Sequence, residues 1–120
     1  MPIPPSGEGY PLDVFNAECP SRAVIDLIAD KWSVLTLSAI SHGFEHNGEL
    51  LRRIGGISQK SLTRTLRQLE VNGLVHRLDH HEIPPRVDYT LTDKGQSLIP
   101  LLSQMCEWAV RNSTIAHTTS

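Results

Sequence analysis

The segment GISQKSLTRTLRQLEVNGLVHR, at residues 56–77, constrains the fold of this chain more than any other part of the sequence. Ser58 is suited to cap a helix, because its hydroxyl can accept a backbone N–H from the otherwise unpaired first turn. The pair Asn72-Gly73 predicts the end of that helix, since glycine adopts the left-handed C-terminal conformation without strain. Three leucines recur at the spacing of one helix face and predict its buried edge: Leu62, Leu66 and Leu69.

The opposite side of this predicted helix is basic. With about 3.6 residues per turn, Lys60, Arg64 and Arg67 cluster away from the leucines. A solvated helix face is the alternative explanation for such a cluster. Around the three cations, however, lie polar side chains of the kinds that bind phosphates and base edges. The sequence therefore favours contact with DNA, and the candidate contacts on this helix are Ser58, Gln59, Lys60, Ser61, Thr63, Arg64 and Arg67.

The charge of the chain is unevenly distributed. The net charge of −2 by itself argues against a nucleic-acid-binding protein. Residues 51–77, however, contain six basic side chains and a single acidic one, Glu70. A local positive surface of this kind steers a duplex towards the protein and displaces its counterions. We expect the acidic remainder of the chain to lie away from the DNA.

Three further helices are predicted before the basic helix. Pro20 suits the first position of the first one. The second, over residues 31–42, is apolar on two sides and is therefore expected to be central. A short third helix covers residues 49–54, and Gly55-Gly56 makes the turn into the basic helix. The expected apolar positions are Val24, Leu27 and Ile28 in the first helix, and Trp32, Val34, Leu35, Leu37 and Ala39 in the second.

Two strands are predicted after Gly73, at residues 74–79 and 86–91. In the second strand, Val87, Tyr89 and Leu91 alternate with Arg86, Asp88 and Thr90, which predicts one apolar and one polar face. A hairpin directly after a DNA-contacting helix is a wing. Its candidate contacts to phosphates or the minor groove are His80, His81 and Arg86, although simple exposure to solvent stays open for each histidine.

The last predicted helix begins after Thr92 as its cap and is bent at Pro100. Its apolar arc is wider than one small core needs, which favours a partner helix from a second subunit over packing on its own domain. Helix-turn-helix proteins usually read paired half-sites as dimers. The residues of this arc are Leu98, Ile99, Leu101, Leu102, Met105, Cys106, Trp108 and Ala109.

Over residues 19–108 the chain resembles the HxlR-type winged helix-turn-helix transcriptional regulators, which are related to the MarR group. The resemblance implies a mainly α fold with a small β-hairpin, a homodimer formed through the terminal helices, and regulation of nearby promoters. One departure is Asn47, where the family commonly has an aromatic residue, and Phe44 is the expected substitute. The motifs that carry the resemblance are CP at residues 19–20, DKW at 30–32, GELLRRIGGISQKSLTRTLRQLEVNGLVHR at 48–77, IPPRVDYTLTDKG at 83–95 and LIPLL at 98–102.

Cys19 is a candidate redox sensor. It precedes Pro20 at a predicted helix N-terminus, where the helix dipole favours a thiolate, although Glu18 opposes this. The resemblance adds that several members of the family respond to oxidants or electrophiles through a cysteine near the N-terminus. A purely structural role for Cys19 stays open. Cys106 is expected to be a small buried apolar residue, and a Cys19–Cys106 bridge between subunits is conceivable.

The sequence thus predicts a homodimeric regulator that binds double-stranded DNA at a palindromic operator. A winged-helix protein-interaction module without DNA binding is the alternative. We expect no catalytic residues, cofactor or metal site, and the effector could be an apolar small molecule or a thiol-reactive compound. A cytoplasmic protein without membrane segments is expected. The predicted divisions are a flexible arm (1–18), a DNA-binding and dimerisation domain (19–112) and a frayed tail (113–120).

Overall fold

Five α-helices and one two-stranded antiparallel hairpin follow one another in the chain, as a computed structural model that describes residues 15–113 shows. This is the predicted mainly α, winged helix-turn-helix arrangement. Residues 1–14 of the expected arm and residues 114–120 of the expected tail lie outside the described part. The elements are α1 (Ser21–Ala29), α2 (Lys31–Ser41), α3 (Asn47–Arg53), α4 (Gln59–Val71), β1 (Val75–Asp79), β2 (Val87–Leu91) and α5 (Asp93–Asn112).

Helix α2 is central, as predicted, because it packs against α1, α3, α4, α5 and β2. Its buried side differs from the prediction, however. Leu37, Ala39 and Ile40 are buried together with Ser33 and Thr36, whereas Leu35 is 39% exposed. Ser33 can lie inside because its hydroxyl and its backbone N–H both bond the carboxylate of Asp30, the N-cap of α2. The six leucines that are almost completely buried are Leu37, Leu50, Leu62, Leu66, Leu69 and Leu102.

Helix α4 has both predicted ends. The Ser58 hydroxyl accepts the backbone N–H of Ser61 at 3.0 Å, and the helix begins at Gln59, directly after Ser58. At the other end Gly73 has φ +74°, which glycine adopts at low cost. The Gly73 N–H then donates to the Glu70 backbone carbonyl, and the Leu74 N–H donates to the Leu69 carbonyl. These two hydrogen bonds end the helix. These local signals fix the length of α4.

Helix α3 begins earlier than the predicted residue 49, at Asn47. The Glu49 carboxylate accepts the backbone N–H of His46 at 3.2 Å, and this cap offsets the low helix propensity of Gly48. Phe44 packs against the core, and the Arg53 guanidinium lies 5.6 Å from the centre of its ring. Phe44 therefore supplies the aromatic side chain that Asn47 does not.

The hairpin pairs Val75 with Leu91 at its base and Asp79 with Val87 near its tip. The alternation places Asp88 on the polar face of β2, yet Asp88 is the most buried residue of the strand. The free edge of β2 is covered by the chain before α3, where the Tyr89 N–H donates to the Glu45 carbonyl at 2.8 Å. His46 forms an isolated bridge with Asp88 there. This segment covers Asp88 and joins the wing to α3.

Helix α1 buries less than predicted, and α5 leaves most of its apolar arc uncovered. Pro20 is the N-cap of α1 and not its first residue, and Leu27 is the only buried residue of this helix. Val24, expected on the core side, is 37% exposed, and Ile25 is 45% exposed. Helix α5 buries only Gly95 and Leu102. Their exposed apolar residues face outwards because no other element of residues 15–113 covers these sides. None of the helices within residues 15–113 is long and apolar enough to cross a membrane.

Candidate nucleic-acid interface

The outer face of α4 is positively charged. Lys60, Arg64 and Arg67 are all exposed, on the side opposite the buried leucines of the same helix. Within residues 15–113, no carboxylate lies within ion-pair distance of any of these three cations. A phosphate could bind them without first displacing an internal partner.

The polar candidates on α4 differ in how free they are. Gln59 and Thr63 are exposed and bonded to each other, with the Gln59 side-chain amide donating to the Thr63 hydroxyl at 3.0 Å. Ser58 is exposed, but its oxygen already accepts the cap bond from the Ser61 N–H. Ser61 itself is half-buried. Gln59 and Thr63 therefore form a pre-arranged polar pair beside the cations, whereas Ser58 and Ser61 serve first to begin the helix.

The three wing candidates are not equivalent. His81 has φ +53° at the turn, and its side chain is 86% exposed. Its backbone N–H donates to the Asp79 carboxylate at 2.9 Å. His80 and Arg86, in contrast, both bond Asp88: His80 Nε2 lies 3.0 Å and Arg86 Nη2 3.2 Å from the same oxygen, Oδ2. Their side chains are 39% and 58% exposed, so each keeps a solvent-facing part.

Asp88 and His46 are the residues that sequence reasoning missed. The Asp88 side chain is 10% exposed, and its second oxygen, Oδ1, lies 3.4 Å from His46 Nδ1. The two atoms are close enough for a charge interaction, but they form no hydrogen bond. One signal was available, because Arg86 and Asp88 are two residues apart and therefore share one face of a strand. The nearness of His46 had no local signal.

The charge on Asp88 is favoured by its neighbours. Burial raises the pKa of this carboxyl group, but the hydrogen bonds from Arg86 and His80 outweigh burial, so the net pKa lies below the usual value. The pKa of Asp79 is also lowered, chiefly by the backbone N–H of His81. Both aspartates of the wing are therefore ionised near neutral pH. In the described part of the chain, no group of three or more His, Cys, Asp or Glu side chains is arranged to hold a metal ion.

The two cysteines lie near the ends of the described chain and are free thiols. Cys19 is 6% exposed, in the turn before α1, where its N–H donates to Asn16 and its carbonyl accepts from Arg22. Cys106, expected to be buried, is only half-buried, because its side of α5 is not covered by another element of residues 15–113.

A profile of the HxlR-like helix-turn-helix proteins matches residues 27–116 of this chain. An uncharacterized HTH-type transcriptional regulator of Methanothermobacter thermautotrophicus is 42% identical over 107 residues, which cover 87% of this chain and 82% of the relative. The solved structure of the transcriptional regulator YtfH of Salmonella typhimurium superposes with a TM-score of 0.80 and 31% sequence identity. The match covers 91% of this chain and 99% of the YtfH chain.

The redox regulator HypR in its oxidized form has a TM-score of 0.71 and 38% identity, over 78% of this chain and 97% of its own. The five helices and the hairpin agree with these similarities. The chain therefore belongs to the HxlR-like helix-turn-helix family of transcriptional regulators.

Proposed function

We propose that this protein regulates transcription by binding double-stranded DNA sequence-specifically, as a homodimer on a palindromic operator. The observation that carries this proposal is the outer face of α4. There Lys60, Arg64 and Arg67 are exposed and, among the described residues, lack an acidic partner. A protein-interaction module that had lost DNA binding would have no reason to keep such a face free of acids.

The proposed binding mode places α4 in the major groove. Residues near the N-terminus of a recognition helix reach base edges, which makes Gln59, Thr63 and Arg64 the candidates for reading sequence. The hydrogen bond between Gln59 and Thr63 fixes the side-chain amide of Gln59 before DNA arrives, which limits the entropy lost on binding. Lys60 and Arg67 are assigned to phosphates.

The wing would contact the DNA beside the major-groove site. His81 is almost fully exposed at the tip, and Arg86 presents the rest of its guanidinium to solvent while one nitrogen bonds Asp88. Both are suited to phosphates or to the edge of the minor groove. His80 is bound to Asp88 through Nε2, so its contribution is mainly to orient the wing.

The homodimer is proposed to form through α1 and α5. On α5, Leu101, Met105 and Trp108 follow one another at helical spacing and are 47%, 39% and 64% exposed. On α1, Val24 and Ile25 are exposed as well. The occupant that fits this surface is a second copy, because a two-fold axis through the terminal helices presents two α4 helices to paired half-sites.

Cys19 is the proposed site of a response to oxidants or electrophiles. The likeness to a redox regulator solved in oxidized form supports this assignment. Cys19 lies at the start of α1, beside the proposed dimer surface, so a change at its sulfur would alter how two subunits pack. Replacing Cys19 by serine should abolish the response to oxidant and leave DNA binding by the reduced protein unchanged. An unchanged response of this variant to oxidant would show that Cys19 is not the sensor.

The test of DNA binding is selection of a site from random-sequence duplexes, followed by fluorescence-anisotropy titration over a salt series with a thiol reductant present. Preference for the selected site, with affinity falling steeply as salt rises, is the expected result. Replacing Arg64 by alanine should reduce affinity for that site about 5- to 150-fold, from a loss of about 1–3 kcal/mol.

A matched control is Arg111→Ala, which removes the same charge from an exposed position at the far end of α5; both arginine variants are compared on a single half-site, so that a change in dimerisation through α5 does not enter. This variant should bind the selected site like the wild type. No selected site and no binding even at low salt would overturn the DNA-binding proposal and favour the protein-interaction module. Equal losses in both arginine variants would mean that α4 is not the contacting face.

A further inference from the structure

Asp88 is the only buried carboxylate among residues 15–113. A buried charge is expensive unless other groups compensate it. The three groups that surround Asp88 come from three different places: His80 at the start of the wing loop, Arg86 at its end, and His46 before α3. The carboxylate therefore connects both stems of the wing with the helix-turn-helix unit.

The two oxygens of Asp88 have separate tasks. Oδ2 accepts hydrogen bonds from His80 and Arg86, which holds the two ends of the wing loop together. This closure is reinforced by the backbone, because the His80 N–H donates to the Arg86 carbonyl at 3.0 Å. Oδ1 faces away from the loop, towards His46 Nδ1 at 3.4 Å. Only this second oxygen points across to α3.

The contact between the wing and the start of α3 also includes a backbone hydrogen bond. The Tyr89 N–H donates to the Glu45 carbonyl at 2.8 Å, and His46 is the N-cap of α3. Helix α3 leads through Gly55-Gly56 directly to α4. The contact of β2 with residues 45–46 is thus one of the links that position the wing relative to α4, beside the direct packing of β1 on α4, and Asp88 lies at that contact.

We propose that Asp88 is a positioning residue for DNA binding, which holds the wing at a fixed place relative to α4 at the contact of β2 with residues 45–46. It does not touch DNA. By holding His80, Arg86 and the start of α3 together, it allows the wing and α4 to engage neighbouring grooves at the same time. This inference rests on the proposed DNA binding, and its test includes a measurement made without DNA.

The measurement without DNA is amide hydrogen exchange in the full-length chain. Asp88→Asn keeps the size of the side chain and removes its charge. The Tyr89 amide donates to the Glu45 carbonyl and should then exchange about tenfold faster or more. The reason is that losing a hydrogen bond to a charged group changes a local opening equilibrium by at least about a factor of ten. The amides inside α4 should keep their protection. Unchanged exchange at Tyr89 would overturn the proposal.

The measurement with DNA compares two duplexes. One carries the selected site with its flanks, and the other ends where the major-groove half-site ends, so that the wing has no DNA to contact. Asp88→Asn should lose about tenfold in affinity for the flanked duplex and almost nothing for the trimmed one. Equal losses on both duplexes would indicate a general structural role and overturn the positioning role.

Two further variants keep the test decisive. Asp79→Asn removes the charge of the other wing aspartate but keeps an oxygen that can accept the His81 N–H, and this variant should behave like the wild type in both measurements. If Asp88→Asn fails to fold, His46→Gln removes only the imidazole that faces Oδ1, and the same local loss of protection is expected from it. Should the wild type bind no DNA, the proposed function fails, while the exchange at Tyr89 still decides whether Asp88 holds the wing.

Discussion

The Thr92 hydroxyl donates a hydrogen bond to the Gly73 carbonyl at 2.6 Å, which joins the end of α4 to the start of α5. The same oxygen accepts the Gly95 N–H at 3.0 Å and so caps α5. A second link lies alongside, because the Lys94 ammonium donates to the Asn72 carbonyl at 3.0 Å. The C-terminal end of α4 and the N-terminal end of α5 are therefore held as one rigid corner.

Removing the Thr92 hydroxyl should destabilise this corner. We expect Thr92→Ala to lower the free energy of unfolding by about 1–2 kcal/mol, because the change removes a helix cap and leaves the Gly73 carbonyl without this donor. Urea denaturation followed by circular dichroism measures this loss. The control is Thr92→Ser, which keeps the oxygen and should recover most of the stability. An alanine variant as stable as the wild type would show that the hydroxyl contributes nothing.

A methyl group at Gly95 should be poorly tolerated. A Cβ at this position would clash with the carbonyl oxygen of Leu74, a backbone atom that cannot move alone. We expect Gly95→Ala to lower the free energy of unfolding by about 1–3 kcal/mol, despite the better helix propensity of alanine. Gly55→Ala is the control, since nothing lies within 4 Å of a Cβ there. Thermal unfolding measures the melting temperatures of both variants, and that of Gly95→Ala should be the lower. Equal melting temperatures would contradict the predicted clash.

The parts of this fold that could be predicted are those with local causes. The cap at Ser58 and the glycine at residue 73 bound α4, and the spacing of Leu62, Leu66 and Leu69 fixes which side of it is buried. The basic face then follows from helical geometry alone. The same holds for Thr92, whose side chain caps the helix that follows it.

The parts that could not be predicted depend on distant contacts. Alternation along β2 places Asp88 on the polar face, but the chain before α3, some forty residues earlier, covers that face. The early start of α3 depends on the Glu49 cap, which outweighs Gly48. Val24 has an apolar side chain at core-like spacing, yet it is exposed because no element within residues 15–113 covers its side of α1.

The stabilising effect of Asp88 should disappear in acid. Its folded-state pKa lies below the usual value of about 3.9 because the bonds from Arg86 and His80 outweigh burial. A carboxyl group with a depressed folded pKa stabilises the fold above its unfolded pKa, and the effect is lost as the pH falls through the folded pKa.

The expected result is a pH-dependent difference between Asp88→Asn and the wild type. The two free energies of unfolding should differ most near neutral pH and converge below about pH 4. Urea denaturation from neutral to acidic pH measures this convergence. Thr92→Ala is the reference, because that change removes no titrating group and its effect should stay constant with pH. A constant difference for Asp88→Asn as well would contradict the assignment of a buried, ionised Asp88.

A charge at Trp108 should separate the proposed dimer. Trp108 is 64% exposed on α5, so glutamate at this position leaves the core of a single subunit intact. In a dimer formed through α5, however, the added charge would be buried without a partner, which costs several kcal/mol. Analytical ultracentrifugation should find the wild type dimeric and Trp108→Glu monomeric. Ile83→Glu, at a wing position that is 99% exposed, should remain dimeric.

The monomeric Trp108→Glu variant should keep its affinity for a single DNA half-site. It should lose the gain in affinity from a second half-site, since that gain requires two linked α4 helices. A monomeric wild type, or a dimeric Trp108→Glu, would place the subunit contact elsewhere.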